Sequence, residues 1–157
     1  MSSALQEAPR SFGDQLDMLE AAMAGHSPPV HQVFNHFAPG LYIREFHFPP
    51  GSKGVSMTHK FRHPFFIVRG AVRVISDNEG AVIYEAPFTG FTEPETRRAL
   101  EVVGNETLVW ITVHPNPDNE TDADKIVARV TEPHENPAVL PHQGNQWRLN
   151  QTTALPE

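Results

Sequence analysis

The segment MTHKFRHPFFIVRG, Met57 to Gly70, holds the one compact cluster of metal-capable side chains in this sequence. If His59 ends one strand, Lys60-Phe61-Arg62 turns the chain and His63 begins the returning strand. The two histidines then become cross-strand neighbours with Cβ atoms roughly 5 Å apart. Two imidazoles at that separation can chelate a divalent ion of the Zn, Fe, Ni or Mn kind. Nine histidines in 157 residues also make close pairs by chance, so spacing alone leaves an incidental pairing open. Two further histidines are candidates to complete a site. His114 shares a strand face with Trp110 and Thr112 by alternation, and His47 lies on an earlier strand. His114 also reads as a loop histidine ahead of Pro115. Glu93 and Glu95 flank Pro94 beside Arg97 and Arg98, and would need burial in a cleft to work as an acid–base pair. Otherwise they form a solvated loop with local ion pairs.

No residue is assigned a catalytic role. The sequence has no Gly-rich phosphate loop, no Gly-x-Ser-x-Gly elbow and no HExxH helix. The absence of cysteine excludes disulfides, thiolate zinc sites and cysteine nucleophiles together.

The elements that must position these residues are mostly β. Residues 1–13 are polar and aperiodic and read as an arm. Leu16, Leu19 and Met23 recur at helical spacing, Ser11 or Asp14 can cap the start and Gly25 the end, which predicts a short helix over 14–25. From Leu41 to Val113 the pattern is that of strands, within a barrel domain spanning 26–114. Leu41 to Phe48 alternates and stops at Pro49-Pro50-Gly51. Pro64 to Val68 and Val72 to Ile75 are rich in β-formers, and Ser76 to Gly80 is a hairpin turn leading to Val82-Ile83-Tyr84. Pro87 to Pro94 reads as loop. Ala99 to Val103 and Thr107 to Val113 are two more strands joined by Gly104-Asn105. Such short strands at regular intervals predict an all-β antiparallel barrel or jelly roll. Thr121-Asp-Ala-Asp124 resembles a capping box and opens a helix to about Val130, closing a loop-and-helix segment, 115–130. The tail, 131–157, has few apolar anchors.

Composition narrows the function classes. The chain is 39% hydrophobic and 20% charged, enough for a core, and its fifteen prolines disfavour a helical bundle. Twelve basic against nineteen acidic residues give −7 with no Lys/Arg cluster, so no nucleic-acid partner is expected. No apolar run approaches the ~20 residues of a membrane span, and no secretory signal is expected from the first thirty residues. Phe65 and Ile67 fall on one strand face and Phe66 and Val68 on the other. Two apolar faces mean that both are covered.

The order of turns and strands resembles the cupin superfamily, small double-stranded β-helix barrels related to jelly rolls. Its first motif runs from Gly through His-x-His to Glu, then six residues to Gly. Matched backward from Gly70, His63 falls on the family's Glu, His59 on its second His, and Met57 replaces the first His; Gly51 agrees with the glycine ahead of the motif. The second motif, Pro-x-Gly followed by His, is similar to Phe91-Thr-Glu-Pro-Glu-Thr-Arg-Arg-Ala99, where Pro94 and Thr96 agree, Glu95 replaces Gly and Arg98 replaces the metal-binding His. The resemblance covers about residues 40–114. It implies a ligand set reduced to His59 and His63, with His114 or His47 as replacement. Met57 and Arg98 then become ligand-binding positions, because a guanidinium repels a cation and attracts a carboxylate or phosphate. A narrower likeness, carried by Glu93 to Arg98, Val109 to His114 and Asn119 to Ile126, is to small cupin-like proteins of tailed phages and prophages.

Two functions are therefore expected. The first is a non-enzymatic assembly or binding module, phage- or prophage-encoded, in the virion or the host cytoplasm. Its terminal arms would join it to further copies or to other virion proteins. The second is a metal-dependent small-molecule enzyme, a dioxygenase, isomerase or lyase, with one divalent transition metal on the histidines and Arg98 orienting a small anionic ligand.

Overall fold

The computed structural model describes residues 10–24 and 31–134. Most of the expected N-terminal arm and nearly all of the tail lie outside those residues. The described chain runs α1 (Phe12–Ala24), β1 (Gln32–Ala38), β2 (Gly40–Phe48), β3 (Lys53–Val55), β4 (His63–Arg69), β5 (Ala71–Ser76), β6 (Gly80–Glu85), β7 (Phe88–Thr92), β8 (Ala99–Val103), β9 (Leu108–Asn116) and α2 (Ala123–Val130). Five strands form one antiparallel sheet in the order β1-β2-β9-β4-β7, and four form the other, β3-β8-β5-β6. The fold is an antiparallel jelly-roll barrel.

Both helices start where side-chain chemistry allows. Ser11 Oγ accepts from the Asp14 amide, and the Asp14 carboxylate accepts from the Ser11 amide, a reciprocal box that opens α1 two residues before the expected start. The Asp122 carboxylate caps α2 through the amides of Asp124 and Lys125. Three strand expectations are corrected. β1 was not anticipated. Residues 88–92, expected as loop, form β7, whose Gly90 lies opposite Phe65; a Cβ there would come within 2.6 Å of the Phe65 ring, so the glycine marks close packing. The Gly104-Asn105 turn joins strands of different sheets, because β8 pairs with β3 and β5 while β9 pairs with β2 and β4.

The register places inward-facing side chains in rows across β2, β9, β4 and β7. The deepest row is apolar: Phe46, Trp110, Ile67 and Phe88. These residues pack with Val72, Val74, Val102 and Leu108 into the core, joined by Phe48, Tyr84 and Leu100. The next row holds Arg44, Thr112, Phe65 and Gly90. Beyond it, at the mouth, Tyr42 is paired with His114 and His63 with Thr92. α2 covers that end, with Ile126 and Val130 buried against Tyr42. The barrel is thus dry at one end and polar at the other.

Gly70, the anchor of the motif match, has φ +75°, and a Cβ on it would lie 2.9 Å from the Thr107 carbonyl oxygen. Gly80 has a similar φ, +69°, with nothing within 4 Å. Gly70→Ala should therefore cost at least about 2 kcal/mol, backbone strain plus collision, and Gly80→Ala about 1. Equal losses in urea denaturation would show that the Gly70 contact carries no weight.

Candidate metal and anion site

His59 and His63 meet, but not as a hairpin. β3 and β4 belong to different sheets, and His59 lies in the loop between them. Its backbone is held from two sides: it bridges to Thr131 beyond α2, and its carbonyl accepts from the Glu95 amide at 2.8 Å. Flanking bonds from the Lys60 amide to the Val130 carbonyl (2.9 Å) and from the Glu132 amide to the Thr58 carbonyl (2.8 Å) complete the strap. The mouth of the barrel thus receives His59 from a loop fastened by α2, His63 from the start of β4 and His114 from β9.

The three rings form one cluster. Centroids lie 4.6 Å apart for His59–His63, 4.4 Å for His63–His114 and 6.1 Å for His59–His114, the last pair nearly parallel at 8°. The His63 Nδ1–H donates to the Phe61 carbonyl at 3.0 Å, which fixes the tautomer and leaves Nε2 as a bare lone pair. That Nε2 is buried without a hydrogen-bond partner, as is His59 Nδ1. His114 Nε2 lies 3.1 Å from the Thr112 hydroxyl. Burial drives the His59 pKa down to about 3, with His63, His114, Arg98 and Arg44 adding to the effect. His114 falls to about 3 for the same leading reason, then through His63 and Arg44. Burial also lowers His63, against its bond to Phe61. All three are neutral imidazoles at pH 7, the form that ligates metals.

Two arginines share the site. Arg98, 9% exposed, donates from Nη2 to the Thr92 hydroxyl at 2.7 Å and lies 5.4 Å and 5.3 Å from the Phe65 and Trp110 ring centroids. Arg44, opposite Thr112, lies 4.8 Å from the Phe46 centroid, and its Nε is buried without a partner. Burial lowers the pKa of both. Among the described residues no carboxylate lies within ion-pair distance of either guanidinium. Arg44 and Tyr42 were missed from sequence, although the alternation Tyr42-x-Arg44-x-Phe46-x-Phe48 puts an arginine on an inward face.

The other candidates separate. His47 points outward and bonds Glu45 at 2.6 Å, with His36 on the other carboxylate oxygen at 3.0 Å, so it cannot replace a lost ligand. Met57 is half-buried in the β3–β4 loop. Glu93 pairs with Arg62 at 2.8 Å, both about half exposed, as a solvated ion pair. Glu95 has φ +60°, so the position where the family motif carries glycine keeps the left-handed backbone that glycine favours. Ligand atoms of three residues lie within 4.8 Å of one another at Asp17, Glu20 and His134, a group not anticipated from sequence. Arg97 already bonds both carboxylates there, at 2.6 and 2.7 Å, so this cluster reads as an ion-pair clamp fastening α1 to the barrel. The ring nitrogens of His59, His63 and His114 do not all come within 4.8 Å of one another.

No family model matches the sequence, and no curated protein matches it. Solved structures similar to it include the cupin domain of Schizosaccharomyces pombe Cnp3 (TM-score 0.48, 13% identity, covering 66% of this chain and 71% of that one). An RmlC-like cupin family protein with a double-stranded β-helix fold from Methanocaldococcus jannaschii gives TM-score 0.48 at 11% identity, covering 59% and 87%. The Cupin_2 domain of an XRE family transcriptional regulator from Enterobacter cloacae gives 0.47 at 12%, covering 55% and 99%. None of the three is described as a phage or virion protein.

The depressed histidine pKa values set a pH dependence. Between about pH 6.5 and 3 the unfolded chain binds protons at His59 and His114 that the folded barrel excludes, so stability falls as pH falls. Above that window the two contribute nothing. Each should cost about 2 kcal/mol by about pH 5. Urea denaturation of the native chain against the double variant His59→Gln, His114→Gln should show that difference; identical pH profiles would contradict the buried neutral pair.

Proposed function

We propose that the chain is a small-ligand-binding barrel in which His59, His63 and His114 hold one divalent transition metal. The observation that carries this reading is the bare, buried Nε2 of His63, its opposite nitrogen fixed by the Phe61 carbonyl and its ring packed against two more neutral imidazoles. A metal ligand oriented by a carbonyl on its far nitrogen is a common outer-sphere arrangement. Three nitrogen donors suit zinc, iron, nickel or manganese and leave room for a further ligand. A bound ion would supply Lewis acidity. The protein's own groups would supply orientation from Arg98 and Thr92 and a dry floor of Trp110 and Phe65.

The test is metal content and affinity. Chelator-stripped protein titrated with zinc should take up one equivalent, and His63→Ala should lose at least tenfold in affinity, the scale on which even outer-sphere partners act. Absence of saturable zinc, cobalt or manganese binding would reject this reading.

The second reading is assembly with further copies or with virion partners in a host cell; the outer side of the five-stranded sheet supports its assembly part alone. Leu41 (42%), Val68 (53%) and Phe91 (49%) are exposed there, beside half-buried Ile43, Phe66, Ile111 and Val113. A contiguous apolar surface of this kind marks an interaction face. A native mass above one chain that falls to one chain in Val68→Asp would support it, and a monomeric parent would count against it.

A further inference from the structure

We infer that the mouth of the barrel takes a small dicarboxylate, gripped by Arg98 and Arg44. The inference rests on the proposed reading of this end as a ligand site, but its binding groups are the guanidiniums and not the imidazoles.

A guanidinium offers five N–H donors and does not give up its charge. Arg98 uses one side-chain donor, toward Thr92; the Arg44 side chain makes no hydrogen bond or ion pair among the described residues, and its Nε is enclosed. The three imidazoles at this end of the barrel bring no negative charge, so they offset neither guanidinium. Asp124 and Glu79 act on Arg44 and Arg98 only through space, without an ion-pair contact. Leaving two charges so poorly solvated is costly, and a bound counter-ion is what repays it. Two fixed charges select a dianion.

The surroundings favour carboxylate over phosphate. Both guanidiniums lie against aromatic rings, Arg98 by Phe65 and Trp110 and Arg44 by Phe46, which leaves their planar forks to pair bidentately with an oxyanion; the backbone and the spacing of the two charges decide which. A phosphate site draws on free backbone amides, as at a helix N-terminus. Here the neighbouring strand amides belong to the ladders, and the first amides of α2 are taken by Asp122. The row register also places the two arginines on different sides of the site. Arg44 rises from β2 opposite Thr112, and Arg98 reaches Thr92 on β7. One carboxylate per arginine fits that arrangement better than a single compact anion.

Calorimetric titration of the full chain with malonate and with succinate, zinc-loaded and chelator-treated, tests this. Malonamide serves as the uncharged control and inorganic phosphate as the competing anion. At least one dicarboxylate should bind saturably and raise Tm, and malonamide should not. Arg98→Gln and Arg44→Gln should each weaken binding about ten- to a hundredfold. Each should also leave the ligand-free Tm unchanged or higher, because an uncompensated charge has been removed; a merely structural arginine would lower it. Arg98→Lys, which keeps charge and loses the fork, should fall between.

Wild-type affinity in both glutamine variants, equal binding of malonamide, or phosphate binding without dicarboxylate binding would each overturn the inference. Dicarboxylate binding that persists after chelation and is lost in Arg98→Gln would sustain it even if the metal reading fails. Zinc binding without any dicarboxylate binding would overturn it and leave the metal reading standing.

Discussion

Positive charge without a counter-charge is the constraint on which this barrel's polar end depends. Two guanidiniums and three imidazoles meet at the same end of the barrel, and no described carboxylate comes within ion-pair distance of the arginines. In so confined a place a further proton is prohibitive, which is why burial and mutual repulsion hold His59 and His114 far below ordinary histidine values. Neutral imidazole is forced by the surroundings, and neutral imidazole is the ligating form.

The fold supplies that confinement by register. One end of the sheet spends its inward positions on Phe46, Trp110, Ile67 and Phe88, and the other spends them on Tyr42, His114, His63 and Thr92. A slip of one residue in β9 would send Trp110, Thr112 and His114 outward together, so the packing of the apolar end fixes the polar end. His59 is the exception, because no sheet holds it. The strand pairing that a loop residue lacks is replaced here by the strap from α2: Ile126 and Val130 anchor on Tyr42, and Thr131 bridges back to His59. Packing of one short amphipathic helix therefore positions one of the three imidazoles.

Much of this was legible in the sequence, for uneven reasons. Alternation along Trp110-x-Thr112-x-His114 put His114 on one face with Trp110 and Thr112, but Pro115 argued for a loop histidine, whereas β9 runs on to Asn116. The motif position of Arg98 placed it in the site. The meeting of His59 with His63 was anticipated through a hairpin that does not exist; the rings come together because the loop is pulled across the mouth from outside the sheet. Arg44 escaped notice because an arginine in a strand reads as an outward residue until its neighbours' alternation is counted. β7 escaped because Gly90 and the flanking prolines carry turn chemistry, while the glycine answers to the Phe65 ring. The clamp of Asp17, Glu20 and Arg97 joins residues some eighty positions apart, a pairing that no local pattern encodes.

Long-range 15N correlation spectra of the histidine rings test the central claim most directly. At about pH 6, below the ordinary histidine value, His59 and His114 should appear as neutral rings; at about pH 7 His63 should appear in the neutral Nδ1–H form, and its Nε2 resonance should move on adding zinc. Imidazolium signatures at those three positions, or rings indifferent to the ion, would contradict it.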